Sequence, residues 1–168
     1  MVFEEVRRAS VKGFRILHFS IQDNHLHLVV EADDGAALSG GMQRLGSRIA
    51  RRLNLLNGRR GSLWRERYHR RDLTTPRQFR NALVYVIFNS RKHATGKTLA
   101  KRMTVLDGFS SAVWVEPREW APRSGLRETL EAARAGPPLV ASARTWIAST
   151  GWKRHGLLRP TEMPRSPG

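Results

Sequence analysis

Cysteine is absent, which excludes disulfides, a thiolate nucleophile and any zinc site built on thiolates. No apolar run approaches the ~20 residues that cross a bilayer, so no membrane partner is expected. The N-terminus, Met1-Val2-Phe3-Glu4-Glu5, lacks the basic-then-apolar pattern of an export signal. Acidic residues are scarce: 14 Asp+Glu stand against 30 Lys+Arg, a formal charge of +16 at pH 7. A field of that sign concentrates polyanions, of which nucleic acid is the commonest. Hydrophobic residues make up 40% of the 168, enough to build a core. Composition therefore points to a cytoplasmic, polyanion-binding protein of one compact domain with an appended tail.

Phe3 to Val11 carries weak helical periodicity, and Gly13 offers a stop. Phe14 to Ile21 reads as a strand, with Phe14, Ile16, His18 and Ser20 on one face and Leu17, Phe19 and Ile21 on the other. Gln22-Asp23-Asn24 is turn chemistry, which predicts an antiparallel hairpin with the strand that follows. In Asn24 to Glu31 strand alternation puts His25, His27, Val29 and Glu31 on one face and Leu26, Leu28 and Val30 on the core side. Two imidazoles on neighbouring same-face positions suit a divalent cation, and equally suit a half-buried strand that happens to carry histidines.

From Ala36 to Asn57, Leu38, Met42, Leu45, Ile49, Leu53 and Leu56 recur at three- and four-residue steps, the pattern of an amphipathic helix. Arg44, Arg48, Arg51 and Arg52 occupy its other faces, either as a solvated charge run or as contacts to nucleic acid. A basic turn follows, with Arg59 and Arg60. Leu63 to Leu73 then interleaves Trp64, Arg65, Arg67 and Tyr68. Guanidinium groups there reach phosphates and aromatic faces stack on unpaired bases; the same stretch also reads as an outer strand with its aromatics turned inward.

Thr75-Pro76-Arg77-Gln78 is a capping box that opens a helix running to about His93, with Gly96 ending it. Its buried stripe is Phe79, Leu83, Val86 and Ser90, which leaves Tyr85 and Asn89 together one turn apart on another face, near Asn81 and Lys92. A flank tyrosine commonly packs at a rim; a hydroxyl on a rigid helix beside an amide and an ammonium is also a nucleophile site. Beyond Gly96, Val105 to Gly108 and Ser110 to Val115 read as short strands or turns. Leu126 to Arg134 and Ser142 to Thr150 read as helices. Trp114, Trp120, Trp146 and Trp152 predict a subsidiary apolar cluster, and the Pro- and Arg-rich end a disordered tail.

His25-Leu26-His27 on a strand, Leu63-Trp64-Arg65-Glu66-Arg67-Tyr68, and Tyr85-Val86-Ile87-Phe88-Asn89 on a later helix together resemble the REP-associated tyrosine transposases. These belong to the single-tyrosine HUH (IS200-like) transposases, where U denotes a hydrophobic residue. The resemblance covers roughly the first hundred residues. It implies an α+β fold, a ferredoxin-like antiparallel sheet with helices, plus a Trp-containing C-terminal extension. The implied layout is a transposase-like domain over 1–96, an extension packed on it over 97–158 and a disordered tail over 159–168. The family has a strand ahead of the first helix, and Met1 lies where that helix begins, so either translation starts upstream or the sheet has a gap beside the histidine strand. Ser90 stands where the family has proline, which predicts a longer helix.

By the same resemblance His25, His27 and Asn89 hold a divalent metal, Mg²⁺ or Mn²⁺, and Tyr85 attacks a scissile phosphate to leave a 5′-phosphotyrosine and a free 3′-hydroxyl. Glu31 is then either an auxiliary ligand or a strand-end charge. A phenol with pKa about 10 is only about a thousandth ionised at pH 7, so the site must assist, and Lys92 is close enough in sequence to do so. The implied substrate is single-stranded DNA near a hairpin, bound by a monomer or homodimer through Arg44, Arg48, Arg51, Arg52, Arg59, Arg60, Trp64, Arg65, Arg67, Tyr68 and Lys92. The alternatives are a catalytically inactive, domesticated relative that binds DNA hairpins without cutting, and an RNA- or ribosome-associated basic protein.

Overall fold

The computed structural model describes residues 1–92, 94–98, 106–116, 120 and 137–164. Its middle is the hairpin that the alternation predicts: β1, Phe14–Ile21, pairs antiparallel with β2, Leu26–Ala32. The turn closes with the Gln22 N–H donating to the His25 carbonyl at 2.9 Å. Helix α1, Val2–Ala9, precedes the hairpin; α2, Gly35–Leu56, and α3, Pro76–Ile87, follow it. Asp34 caps α2 by accepting from the Ala37 N–H at 2.7 Å. Thr75 and Gln78 form the predicted capping box on α3, a device that contributes about 1 kcal/mol. The fold class is α+β, as expected, and among the described residues no third strand joins the sheet.

One face of the hairpin packs on α1 and α2 through Val6, Ala9, Phe14, Ile16, Phe19, Leu45 and Ile49. The other packs on α3 and the C-terminal extension through Leu17, Val29, Phe79, Leu83, Val86, Ile87, Trp120, Trp152 and Leu158. A bulge at Leu17 explains why β1 serves both. Ile16 pairs with Val30 and His18 with Val29, so Leu17 is an extra residue and the alternation slips by one. Phe14 and Ile16 therefore share a face with Phe19 and Ile21, while His18 and Ser20 pair with Val29 and His27 on the opposite side. The simple two-face reading of β1 is corrected by that one residue.

The outer edge of β1 is satisfied piecemeal. Phe14 exchanges backbone bonds with Val11, and Ile16 donates to Ser10 Oγ and accepts from the Ala141 N–H at 2.8 Å. Phe19 donates to Ser111 Oγ at 3.0 Å, and Ile21 to the Phe109 carbonyl at 2.8 Å. Two turns of the extension thus take the place of a neighbouring strand, so the edge leaves few backbone groups to template another chain.

Other expectations change. Leu63 to Leu73 forms no strand, and Tyr68 is exposed instead of turned inward. Leu56 is two-thirds exposed and does not join the buried stripe of α2. The helix after Thr75 ends at Ile87, followed by a 3₁₀ turn over Asn89–Arg91; Ser90 does not prolong it, and His93 lies outside the described residues. Ser110 caps a 3₁₀ turn over Ser111–Trp114, while Val105 and the predicted helix Leu126 to Arg134 lie outside the described residues. Ser142 to Thr150 shortens to a one-turn helix α4, Trp146–Ser149, and Gly151–His155 is a 3₁₀ turn. Trp120 and Trp152 are buried in the main core against α3, and Trp146 is half-exposed, so the tryptophans do not form a cluster of their own. Residues 159–164 are tied to the domain by hydrogen bonds to Arg80 and Arg91, unlike the disordered tail expected there; 165–168 lie outside the described residues.

Candidate active site

The bulge and the hairpin register aim His27 at α3. Its ring meets the Tyr85 ring edge-on, with centroids 5.0 Å apart and planes at 79°. His25, at the mouth of the turn one residue before β2, folds back so that its Nε2 lies 3.0 Å from His27 Nε2. Asn24 Oδ1 sits 2.6 Å from His25 Nδ1. Asn24 accepts the Nδ1 proton, which leaves the Nε2 lone pair facing His27. Burial first, then the neighbouring His25 and the Lys92 ammonium, push the His27 pKa down to about 4. Its imidazole is thus neutral at pH 7 and able to act as a ligand.

Tyr85 is half-buried at the rim of the α3 core, and Lys92 Nζ donates to its hydroxyl at 3.3 Å. The same ammonium lies 5.2 Å from the ring centroid. The 3₁₀ turn after α3 makes this contact possible, because it folds Lys92 back over the last helical turns. Asn89 opens that turn, one turn beyond Tyr85. It is 5% exposed, and its Nδ2 has no hydrogen-bond partner among the described residues. The orphaned atom is a donor, so ligation of a cation would fall to the Oδ1 of the same amide.

The donor set fits a divalent cation. Two nitrogens that bind one ion at about 2.1 Å and a right angle stand about 3.0 Å apart, the separation seen between the two Nε2 atoms. Among the described residues no cluster of three His, Cys, Asp or Glu side chains could hold a metal. The third protein ligand would have to be an amide such as Asn89. Glu31 is not available: its carboxylate accepts from Arg15 Nη2 at 3.0 Å, the Arg144 and Thr145 N–H groups at 2.9 Å each, and Thr145 Oγ at 2.6 Å. Burial raises its pKa, but these donors outweigh burial and hold it below the ordinary carboxylate value. Of its two sequence readings, the strand-end charge is the one the structure supports, with an added task of anchoring the extension.

The basic residues separate into two groups. Arg44, Arg51, Arg59, Arg60, Arg65 and Arg67 are exposed. Arg48 turns to α1, where the carboxylate of the buried Glu5 lies 3.2 Å from it, and Arg52, exposed like the others, stands 3.8 Å from the same carboxylate. A groove of about 310 Å³ between α1 and α2 is lined by these two with Arg8 and Arg51, across the sheet from the histidines. Trp64 Nε1 donates to the Gly46 carbonyl at 2.9 Å, leaving its ring 39% exposed over α2. Sequence reasoning missed the orienting role of Asn24, whose only signal was its place directly before His25. It also missed the partner role of Glu5, for which there was none.

Residues 3–86 match the family described as transposase, IS200-like. No curated protein and no solved structure matches the chain. The matched half of the chain takes in both histidines and Tyr85, and stops short of Asn89 and Lys92. With an α+β hairpin carrying paired imidazoles against a helix-borne phenol, the chain belongs to the IS200-like transposases.

Proposed function

We propose that this transposase nicks and rejoins single-stranded DNA near hairpins through a tyrosine–phosphate ester, as a REP-associated, HUH-type enzyme. The observation that carries the reading is the edge-on contact of Tyr85 with His27, beside the Nε2 pair 3.0 Å apart. Tyr85 oxygen attacks the scissile phosphorus; a P–O bond to tyrosine forms as the P–O3′ bond breaks. The phenol loses its proton and the leaving 3′ oxygen takes one up. Lys92 donates to the tyrosine oxygen, so its positive charge stabilises the phenolate as it develops and again when the bond reverses. His25, His27 and Asn89 would hold Mg²⁺ or Mn²⁺, which when bound polarises the phosphate and offsets charge in the transition state. Imidazole ligands favour Mn²⁺ of the two. The ester conserves the phosphodiester's energy, so strands rejoin without a nucleotide triphosphate.

An unpaired strand suits this open site, since its backbone can bend into contact with the histidines and its bases can stack on the exposed faces of Trp64 and Tyr68. Exposed arginines at 44, 51, 59, 60, 65 and 67 supply the phosphate contacts. The test is a hairpin oligonucleotide with a labelled single-stranded flank, incubated with the full chain and Mn²⁺. A covalent adduct on a denaturing gel, lost in Tyr85→Phe, is expected. A gel shift without any adduct would make the protein a hairpin-binding relative that does not cut. Equal affinity for structured RNA would overturn the DNA reading altogether.

A further inference from the structure

The last described stretch of the chain grips the tyrosine helix from behind. Arg80, in the second turn of α3, donates from Nε to the Gly156 carbonyl at 2.9 Å and from Nη2 to the Leu157 carbonyl at 3.1 Å; Nη2 also bonds the Glu162 carboxylate. Three turns on, Arg91 donates from Nη1 to the carbonyls of Pro160, at 2.6 Å, and Glu162, at 3.0 Å. Its guanidinium carbon stands 4.3 Å from the Phe88 ring centroid, and the residue is 2% exposed. Between these two anchors Leu158 is fully buried in the α3 core. Residues 156–162 therefore form a strap fixed at both ends of α3.

The strap lies on the side of α3 away from the chemistry. Tyr85 is five positions on from Arg80, a rotation of about 140° on a helix, so the arginine and the tyrosine face apart. Arg91 sits in the 3₁₀ turn between Asn89 and Lys92, so whatever fixes Arg91 fixes the turn that carries both. A surface bond would not hold a helix in one rotation. Charge-assisted bonds from the buried Arg91 to backbone carbonyls do, because breaking them leaves a desolvated guanidinium unpaired, and the part-exposed bonds of Arg80 add a second anchor.

We propose that Arg91 and Arg80 are positioning residues: through the strap 156–162 they set the rotation of α3 and keep Tyr85 against His27 of the same chain. The inference rests on Tyr85 being the nucleophile, and it adds that the C-terminal extension belongs to the active domain functionally. Phenol and imidazoles come from separate layers of the fold. Packing of Phe79, Leu83, Val86 and Ile87 on Leu17 and Val29 chooses the face that α3 turns to the hairpin, and the strap fixes that rotation from the opposite side; a small rotation would move the hydroxyl away from the ligands.

Three measurements on the full chain test it: hairpin affinity, the rate of adduct formation, and the NMR shifts of the His27 ring protons in Mg²⁺. The last report the ring current of Tyr85, calibrated with Tyr85→Leu. In Arg91→Gln the adduct rate is expected to fall at least tenfold with affinity within twofold, and the His27 resonances to move toward their Tyr85→Leu positions. Arg91→Lys should restore most of both effects. Should Arg91→Gln fail to fold, Glu162→Gln, which removes one charge from the strap, is expected to show the same two effects several-fold weaker. Rates within twofold of the parent and unmoved His27 resonances, in Arg80→Gln and Arg91→Gln alike, would overturn the proposal. If the parent itself makes no adduct, the nicking reading fails, and the His27 resonances still decide whether the strap sets the tyrosine's position.

Discussion

At the scale of single residues, the site depends on which nitrogen of each imidazole carries its proton. Asn24 makes that choice for His25 by accepting from Nδ1. Partners of this kind typically change metal affinity by 10- to 100-fold when removed. Asn24→Ala should therefore weaken Mn²⁺ binding, read by calorimetry, by about that factor. Far-UV circular dichroism should stay unchanged, because Asn24 is exposed in a turn. A different histidine sets an acid limit on the fold. Burial pushes His18 down to about 4, against an ordinary 6.5, with Ser111 Oγ 3.3 Å from its Nδ1. The unfolded chain then takes up this proton before the folded one does. Stability is fully present above pH 6.5 and declines as pH falls toward 4, by on the order of 1 kcal/mol per pH unit. Glu31, held below its ordinary value, adds a loss of the same sign below about pH 4.5. Urea unfolding at pH 7.5, 6 and 5 should show the decline, and His18→Gln should make it shallower without abolishing it, because His27, also held down to about 4, loses stability over the same range.

At the scale of elements, two adjacent glycines in α2 look alike in sequence and differ in structure. A Cβ on Gly41 would stand 2.3 Å from the Phe14 ring, which is fully buried. On Gly40 it would meet only the end of the Arg44 side chain, at 3.1 Å, which can move aside. Alanine favours a helix over glycine by about 1 kcal/mol, whereas overpacking a core costs about 1–3 kcal/mol. Gly40→Ala is expected to raise the unfolding free energy by up to about 1 kcal/mol, and Gly41→Ala to lower it by a similar amount or more. Paired chemical-denaturation curves distinguish the two signs. The close approach at Gly41 is what lets α2 lie flat on β1, so this glycine indirectly sets the depth of the whole hairpin between its two helical layers.

At the scale of the whole molecule, a net charge of +16 is spread unevenly. Arg48 and, more loosely, the exposed Arg52 are partly neutralised by Glu5, while Arg44 and Arg51 are exposed on the same helix. Binding that neutralises about six phosphates of a single strand should weaken with salt at a log–log slope of roughly −4. Arg44→Ala with Arg51→Ala should make that slope shallower by about one to two. Arg48→Ala should leave the slope nearly unchanged and lower stability instead, because it removes the nearer partner of the buried Glu5 carboxylate and leaves only Arg52 at 3.8 Å. Fluorescence anisotropy across a salt series separates the two classes.

Much of this was legible in the sequence. The bounds of β1 follow from its alternating residues, and those of α2 from three- and four-residue spacing. The start of α3 follows from Thr75, Pro76 and Gln78, since each depends on neighbours a few residues away. The family too could be read from the order of its motifs, and residues 3–86 match it. Long-range geometry could not. The bulge at Leu17, the ion pairs of Arg48 and Arg52 with Glu5, and the capture of Glu31 by Thr145 join residues whose spacing carries no local signal. Periodicity likewise ran past Ile87, because it cannot register where a helix tightens into the turn that carries Asn89 and Lys92. The sequence by itself determined the kinds of groups available, two imidazoles, a phenol and an excess of guanidiniums, because composition and short-range pattern are properties of the chain. Only the tertiary structure decided which of them meet, because the hairpin and α3 are brought together by packing across the sheet and by a strap from the far end of the chain.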